Sequence, residues 1–212
     1  MGLLTSCVFG AYFLATSQLM YAVMAFSLSG SLVAFLIYNF SPAKIFMGDT
    51  GSLLIGLLNS VFVIKFIAVA SDPTFGFVLD SAPALGFAIL IVPLFDTLRV
   101  VSLRIVSRRS PFSPDRNHIH HFLLEFGLSH SMISIVCVIT NILFISLAYL
   151  LRSYGTTMII LALTTASVLL VSIIYYSRPK FKAISFERQK QKEPILKSHK
   201  ILTLAGEPLE QD

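Results

Sequence analysis

The chain has 212 residues, of which 55% are hydrophobic and 13% charged, with a formal net charge of +5. A soluble domain carries about 25% charged residues, so this composition excludes a self-contained soluble domain. The basic residues collect in loops and in the tail rather than on a periodic face, which argues against a nucleic-acid partner.

A bilayer core of ~30 Å needs about 20 apolar residues in a helix. The first apolar run, 3–16, is shorter and lacks the basic flank of a signal peptide. It reads as a helix without its beginning. Runs 19–40, 52–70, 82–106, 131–151 and 156–176 are long enough to span. The expected fold is all-α: a polytopic transmembrane bundle of about six membrane helices over residues 1–176. A basic tail, 177–212, follows and reads as disordered from Glu193 onward. Cys7 and Cys137 lie within apolar runs and read as small core or lipid-facing residues.

Positive charge orients the bundle. Lys44 lies in the connection after the second run. Arg104, Arg108, Arg109 and Arg116 accompany the connection after the fourth run. The tail holds Arg178, Lys180, Lys182, Arg188, Lys190, Lys192, Lys197 and Lys200. The intervening connections hold Asp72 and Asp80, or Arg152 alone. Alternation therefore puts the basic stretches on one side, read as cytoplasmic, with the tail against anionic membrane lipids.

Phe46-Met47-Gly48-Asp49-Thr50-Gly51-Ser52 leads directly into a membrane helix. Asp49 or Ser52 could cap that helix. A carboxylate there also suits a divalent cation held against phosphate, because Mg²⁺ takes oxygen ligands and few protein groups. The connection 108–121 carries Arg108, Arg109, Arg116, His118, His120 and His121, with Pro111 and Pro114 holding its approach extended. A zinc site and a basic loop on lipid headgroups are the rival readings of this stretch. A diphosphate-binding loop accounts for arginines and histidines together.

Within the fourth run, Asp96 and Arg99 stand at i and i+3, with Pro93 one turn earlier. Charges inside a membrane pair or line a cavity, and an ion pair that fixes helix packing is the plain reading. Lys65 lies ~21 Å of helix rise beyond Gly51, and reads as snorkelling to the far interface.

Three stretches, residues 42–52, 93–100 and 108–121, resemble the bacterial polyprenyl-phosphate N-acetylhexosamine-1-phosphate transferases (glycosyltransferase family 4). The stretches read PAKIFMGDTGS, PLFDTLRV and RRSPFSPDRNHIHH. Their order and spacing are similar too. The HIHH form resembles enzymes that begin O-antigen, common-antigen or teichoic-acid linkage synthesis, and it turns the expected donor towards UDP-N-acetylglucosamine.

The resemblance implies transfer of a sugar 1-phosphate from a UDP-N-acetylhexosamine to undecaprenyl phosphate, with release of UMP, at the bacterial inner membrane. It implies that Asp49 binds a catalytic Mg²⁺, for which Mn²⁺ could substitute, and that Phe46 stacks on uracil. Gly48 would admit the nucleotide closely, while Arg116, His118, His120 and His121 would engage the donor diphosphate. Asp96 matches a family aspartate with no settled role. A homodimer is compatible with the resemblance.

The likeness covers only the latter part of the family. Its DDxxD-type and NxxNxxDGxDG-type loops have no counterpart here, so this chain alone is expected to be inactive. The rival expectation is a non-catalytic membrane remnant or assembly partner that keeps the nucleotide-sugar loops. A transporter using Asp96 and Arg99 is a third reading, disfavoured because transporter sites lie near the midplane.

Overall fold

The computed structural model describes residues 1–40, 43–75, 78–108, 110, 123–124 and 126–177. The chain divides into two units, Met1–Tyr176 and Ser177–Asp212. The expectations for the disordered tail and for the loop 111–121 fall outside the described residues.

Among the described residues there are six α-helices: α1 (Gly2–Ala15), α2 (Leu19–Asn39), α3 (Gly48–Ala70), α4 (Ala82–Val106), α5 (His130–Leu150) and α6 (Thr156–Tyr176). All but α1 are long and apolar enough to cross a membrane. The expected runs and the observed helices agree closely, with one correction. α3 begins at Gly48, four residues before the predicted start at Ser52. Gly48 has φ +67°, a left-handed value that glycine adopts without Cβ strain. It lets the chain turn into the helix before the apolar run begins.

Local chemistry sets the other ends. Ser129 caps α5 by accepting from the Met132 N–H at 3.3 Å. Ser81, itself left-handed at φ 58°, precedes α4, which has proline in its first turn. There the missing proline N–H would have had no helical partner. The Ser81 hydroxyl donates to the Arg152 carbonyl at 3.0 Å, tying the connection before α4 to the one after α5. The Leu79 N–H donates to the Ala70 carbonyl at 3.0 Å, closing the α3–α4 connection on itself.

The core forms where small residues admit large ones. On α1, Phe9 and Phe13 are fully buried, as is Phe62 of α3. Phe9 meets Phe66 edge-on at 5.7 Å between ring centroids, and Tyr12 meets Phe66 at 4.7 Å. Phe13 reaches Tyr21 of α2 at 5.5 Å. A Cβ on Gly10 would stand 3.1 Å from the Phe26 ring and 3.3 Å from Ala25 Cβ, so glycine sets the α1–α2 spacing. Polar side chains between helices bond one another. Thr5 Oγ1 donates to Asn59 Oδ1 at 2.9 Å, and the Ser6 and Ser29 hydroxyls are 2.8 Å apart. In hydrocarbon such groups have no water to turn to.

Lys65 follows its expectation. Its ammonium lies 5.1 Å from the Tyr21 ring centroid and 5.9 Å from that of Phe75. Both rings belong to the end of the bundle that holds the α3–α4 connection. Aromatic faces attract a cation through the ring quadrupole.

Two predictions follow from this packing. A Cβ on Gly86 of α4 would stand 2.9 Å from Val63 Cγ2, whereas one on Gly30 would meet nothing within 4 Å. Gly86→Leu should therefore destabilise by about 1–3 kcal/mol, as overpacking does. Gly30→Leu should be close to neutral. Thermal unfolding in detergent reports both, and equal losses would contradict the assigned α3–α4 contact.

The second concerns Asp72, whose carboxylate accepts from the Thr74 backbone N–H at 2.9 Å and from its hydroxyl at 2.7 Å. These bonds, the backbone one foremost, hold its carboxyl below the ordinary value of 3.8. The bonds favour the ionised form. Their stabilisation of the turn is thus complete above that ordinary value and is lost as pH falls through the lowered one. The Thr74 amide NMR shift should titrate with a midpoint below 3.8; a midpoint at or above it would refute the assignment.

Candidate nucleotide-sugar site

The stretch 43–49 folds back on the end of α2. The Lys44 N–H donates to the Tyr38 carbonyl at 2.8 Å, and Asn39 Nδ2 donates to the Ile45 carbonyl at 2.8 Å. These bonds anchor the approach to α3 and leave Phe46 projecting, 87% exposed. An apolar ring so exposed beside a helix entrance is available to stack on a planar ligand.

Asp49 is exposed in the first turn of α3, and the helix has no side-chain cap. The capping alternative for Asp49 and Ser52 is thereby corrected. Because the helix starts at Gly48, both residues lie inside it, and the Ser52 hydroxyl donates to the Asp49 carbonyl at 2.9 Å. No side-chain cap hydrogen bond closes the start of α3. The positive end of the helix dipole favours anions at this position.

Asp96 and Arg99 form the expected pair. Arg99 Nη2 lies 3.5 Å from Asp96 Oδ1, with both side chains largely shielded. The height of this pair follows from helix rise. Val63 and Gly86 lie side by side on the antiparallel α3 and α4. At 1.5 Å per residue, Asp96 stands about 15 Å and Asp49 about 21 Å from that level, towards the same end. The ion pair therefore lies roughly one helical turn deeper than Asp49. Phe46, Gly48 and Asp49 come together at the head of α3. Arg116, His118, His120 and His121 lie outside the described residues.

Among the described residues no group of three His, Cys, Asp or Glu forms a metal cluster. A single exposed carboxylate suits magnesium, which retains most of its waters and shares its remaining positions with phosphate oxygens.

Asn59 and Asn141, amides inside membrane helices, were missed as organising residues. Each is visible as a lone polar residue in an apolar run, but what it bonds depends on which helix faces it.

Charge removal within the shielded pair is testable. Arg99→Gln leaves the Asp96 carboxylate without this guanidinium, whereas Asp96→Asn with Arg99→Gln removes both charges. The double variant should be no less stable than the single one, with a coupling of about 1 kcal/mol in a thermal-unfolding cycle. Strict additivity would exclude a stabilising pair.

Part of the chain is similar in sequence to known proteins. Residues 1–67, which contain α1, α2 and the head of α3, match the family described as Glycosyl transferase family 4. A probable undecaprenyl-phosphate N-acetylglucosaminyl 1-phosphate transferase of Bacillus subtilis is 39% identical over 123 residues, 58% of this chain and 32% of its own length. The decaprenyl-phosphate N-acetylglucosaminephosphotransferase of Mycobacterium leprae is 42% identical over 113 residues, 51% of this chain and 28% of its own. An undecaprenyl-phosphate alpha-N-acetylglucosaminyl 1-phosphate transferase of Haemophilus influenzae is 34% identical over 138 residues, 59% of this chain and 37% of its own. The chain spans about a third of the length of the curated relatives it matches. No solved structure matches it. With five helices fit to span a bilayer, the chain is a multi-pass membrane protein that is similar to glycosyl transferase family 4 over residues 1–67 and to these transferases over about half of its length.

Proposed function

We propose that the chain provides the nucleotide-sugar side of an active site that transfers N-acetylglucosamine 1-phosphate from UDP-N-acetylglucosamine to undecaprenyl phosphate. The observation that carries this reading is the head of α3. There an exposed ring, a left-handed glycine and an exposed carboxylate, Phe46, Gly48 and Asp49, stand within four residues at a helix N-terminus. The relatives matched over about half of the chain carry the corresponding names.

In the proposed reaction a phosphate oxygen of the lipid attacks the β-phosphorus of the donor. The bond from that phosphorus to the bridging oxygen breaks, UMP departs with the bridging oxygen, and a polyprenyl-diphospho-sugar remains. Phe46 stacks on the uracil, and Gly48 keeps the backbone clear of the nucleotide. The backbone N–H groups opening α3 face the phosphates. Arg116, His118, His120 and His121 neutralise the diphosphate as charge builds on its oxygens. Asp49 would hold Mg²⁺, which would supply charge stabilisation on the phosphate oxygens when bound.

This end of the bundle faces the cytoplasm, as the distribution of Lys and Arg supports. The basic tail, 177–212, lies against anionic headgroups. Turnover requires segments corresponding to the remainder of the longer relatives. The chain by itself binds the uridine nucleotide without turning it over.

The test uses the full chain in lipid nanodiscs, alone and co-reconstituted with the part of the Bacillus subtilis relative that it does not match. UMP release from UDP-N-acetylglucosamine and undecaprenyl phosphate is measured with and without magnesium. The expected outcome is magnesium-dependent release only in the co-reconstituted sample, reduced about 10²-fold or more by Asp49→Asn. Full activity of Asp49→Asn would remove the metal role. Failure of the chain to bind uridine nucleotide in any sample would favour a non-catalytic assembly partner.

A further inference from the structure

Asn141 sits in the middle of α5, fully buried at 0% exposure. Its Nδ2 donates to the Ile89 carbonyl of α4 at 3.0 Å. Ile89 is the residue four positions before Pro93. In an uninterrupted helix its carbonyl would accept the N–H of residue 93. Proline has no N–H, and its ring crowds that same carbonyl outward. Asn141 thus supplies, from the neighbouring helix, the one backbone hydrogen bond that Pro93 removes from α4. Among the described residues Asn141 Oδ1 has no hydrogen-bond partner, so the amide is tied to α4 through its nitrogen alone.

The two halves of α4 differ sharply on either side of this point. From Ala82 to Ile91 nearly every residue is buried, whereas from Pro93 to Val106 only Val100 is. The second half carries Asp96, Arg99 and Arg104, the charged residues of the helix. Among the described residues it buries fewer side chains than the first half, and Val106 at its end is 81% exposed.

We propose that Pro93 and Asn141 form a latched hinge, in which the Asn141–Ile89 bond holds the charged half of α4 in line with its buried half. Without the latch, the Pro93–Val106 segment changes direction at the unbonded carbonyl while the buried half stays in place. The inference rests on the bond and the burial pattern, and it holds whether or not the chain takes part in sugar-phosphate transfer.

The test is a cycle of four forms of the full chain in nanodiscs: the parent, Asn141→Leu, Pro93→Ala and the double variant. Alanine at 93 restores an N–H to the Ile89 carbonyl and makes the latch redundant. Asn141→Leu alone should lower the thermal midpoint by several degrees, and in the Pro93→Ala background it should lower it little or not at all. Equal losses in both backgrounds would overturn the latch.

Spin labels on Val106→Cys and Leu150→Cys, in a Cys7→Ala, Cys137→Ala background, read the hinge directly by electron–electron distance. The distribution should broaden in Asn141→Leu and stay narrow in the double variant. A Leu19→Cys, Leu150→Cys pair at the opposite end should stay narrow throughout. An unchanged Val106–Leu150 distribution in Asn141→Leu would overturn the hinge. Should Asn141→Leu fail to fold, recovery of a folded double variant supports the latch, and failure of both overturns it.

Discussion

Hydrocarbon offers no hydrogen bonds, and every polar group carried into it must find a partner within the bundle. Helix formation meets this demand for most of the backbone. Pro93 breaks it at one carbonyl in the middle of α4, and the answer comes from outside the helix, through the buried amide of Asn141. That bond joins α4 to α5. The same demand pairs Thr5 with Asn59 between α1 and α3, and Ser6 with Ser29 between α1 and α2. Polar contacts of this kind decide which helices meet, because lipid tails are as apolar as leucine and give one apolar face little preference over another.

Close approach then does the rest. Gly10 and Gly86 bring α1 onto α2 and α4 onto α3 at distances that a methyl group would disturb. The space gained is filled by rings. Phe9, Phe13, Phe62 and Phe66 interlock in tilted and edge-on contacts, geometries that match positive ring edges to negative faces. Glycine and phenylalanine thus act together, one setting the helix separation and the other using it.

The candidate site residues that the structure describes gather towards one end of the bundle. There the head of α3 presents Phe46, Gly48 and Asp49, and the second half of α4 brings Asp96 and Arg99 about a turn deeper. At the other end Lys65 lies between the Tyr21 and Phe75 rings, and Asp72 closes a short turn with Thr74. The cost of desolvation favours charged side chains at the two ends over the middle of the bundle. The least buried stretch of α4 is also the one that carries its charges.

Composition and the spacing of apolar runs determined that the chain is helical and membrane-spanning, and where most helices begin and end. Both are properties of a helix crossing a layer of known thickness, and they need no knowledge of neighbours. The i, i+3 spacing of Asp96 and Arg99 likewise announced their pairing, and the charge of Lys65 its direction, because each depends on one helix and the solvent around it. The start of α3 was misplaced by four residues, since apolarity marks where lipid begins, whereas helix geometry begins at the left-handed Gly48. What Asn141 does was hidden. An amide in an apolar run must bond something, but only the packing of α5 against α4 decided that its partner is the carbonyl orphaned by a proline 48 positions earlier. Partners across a bundle are chosen by helix arrangement, and that arrangement is fixed by many weak contacts at once rather than by any local run of residues.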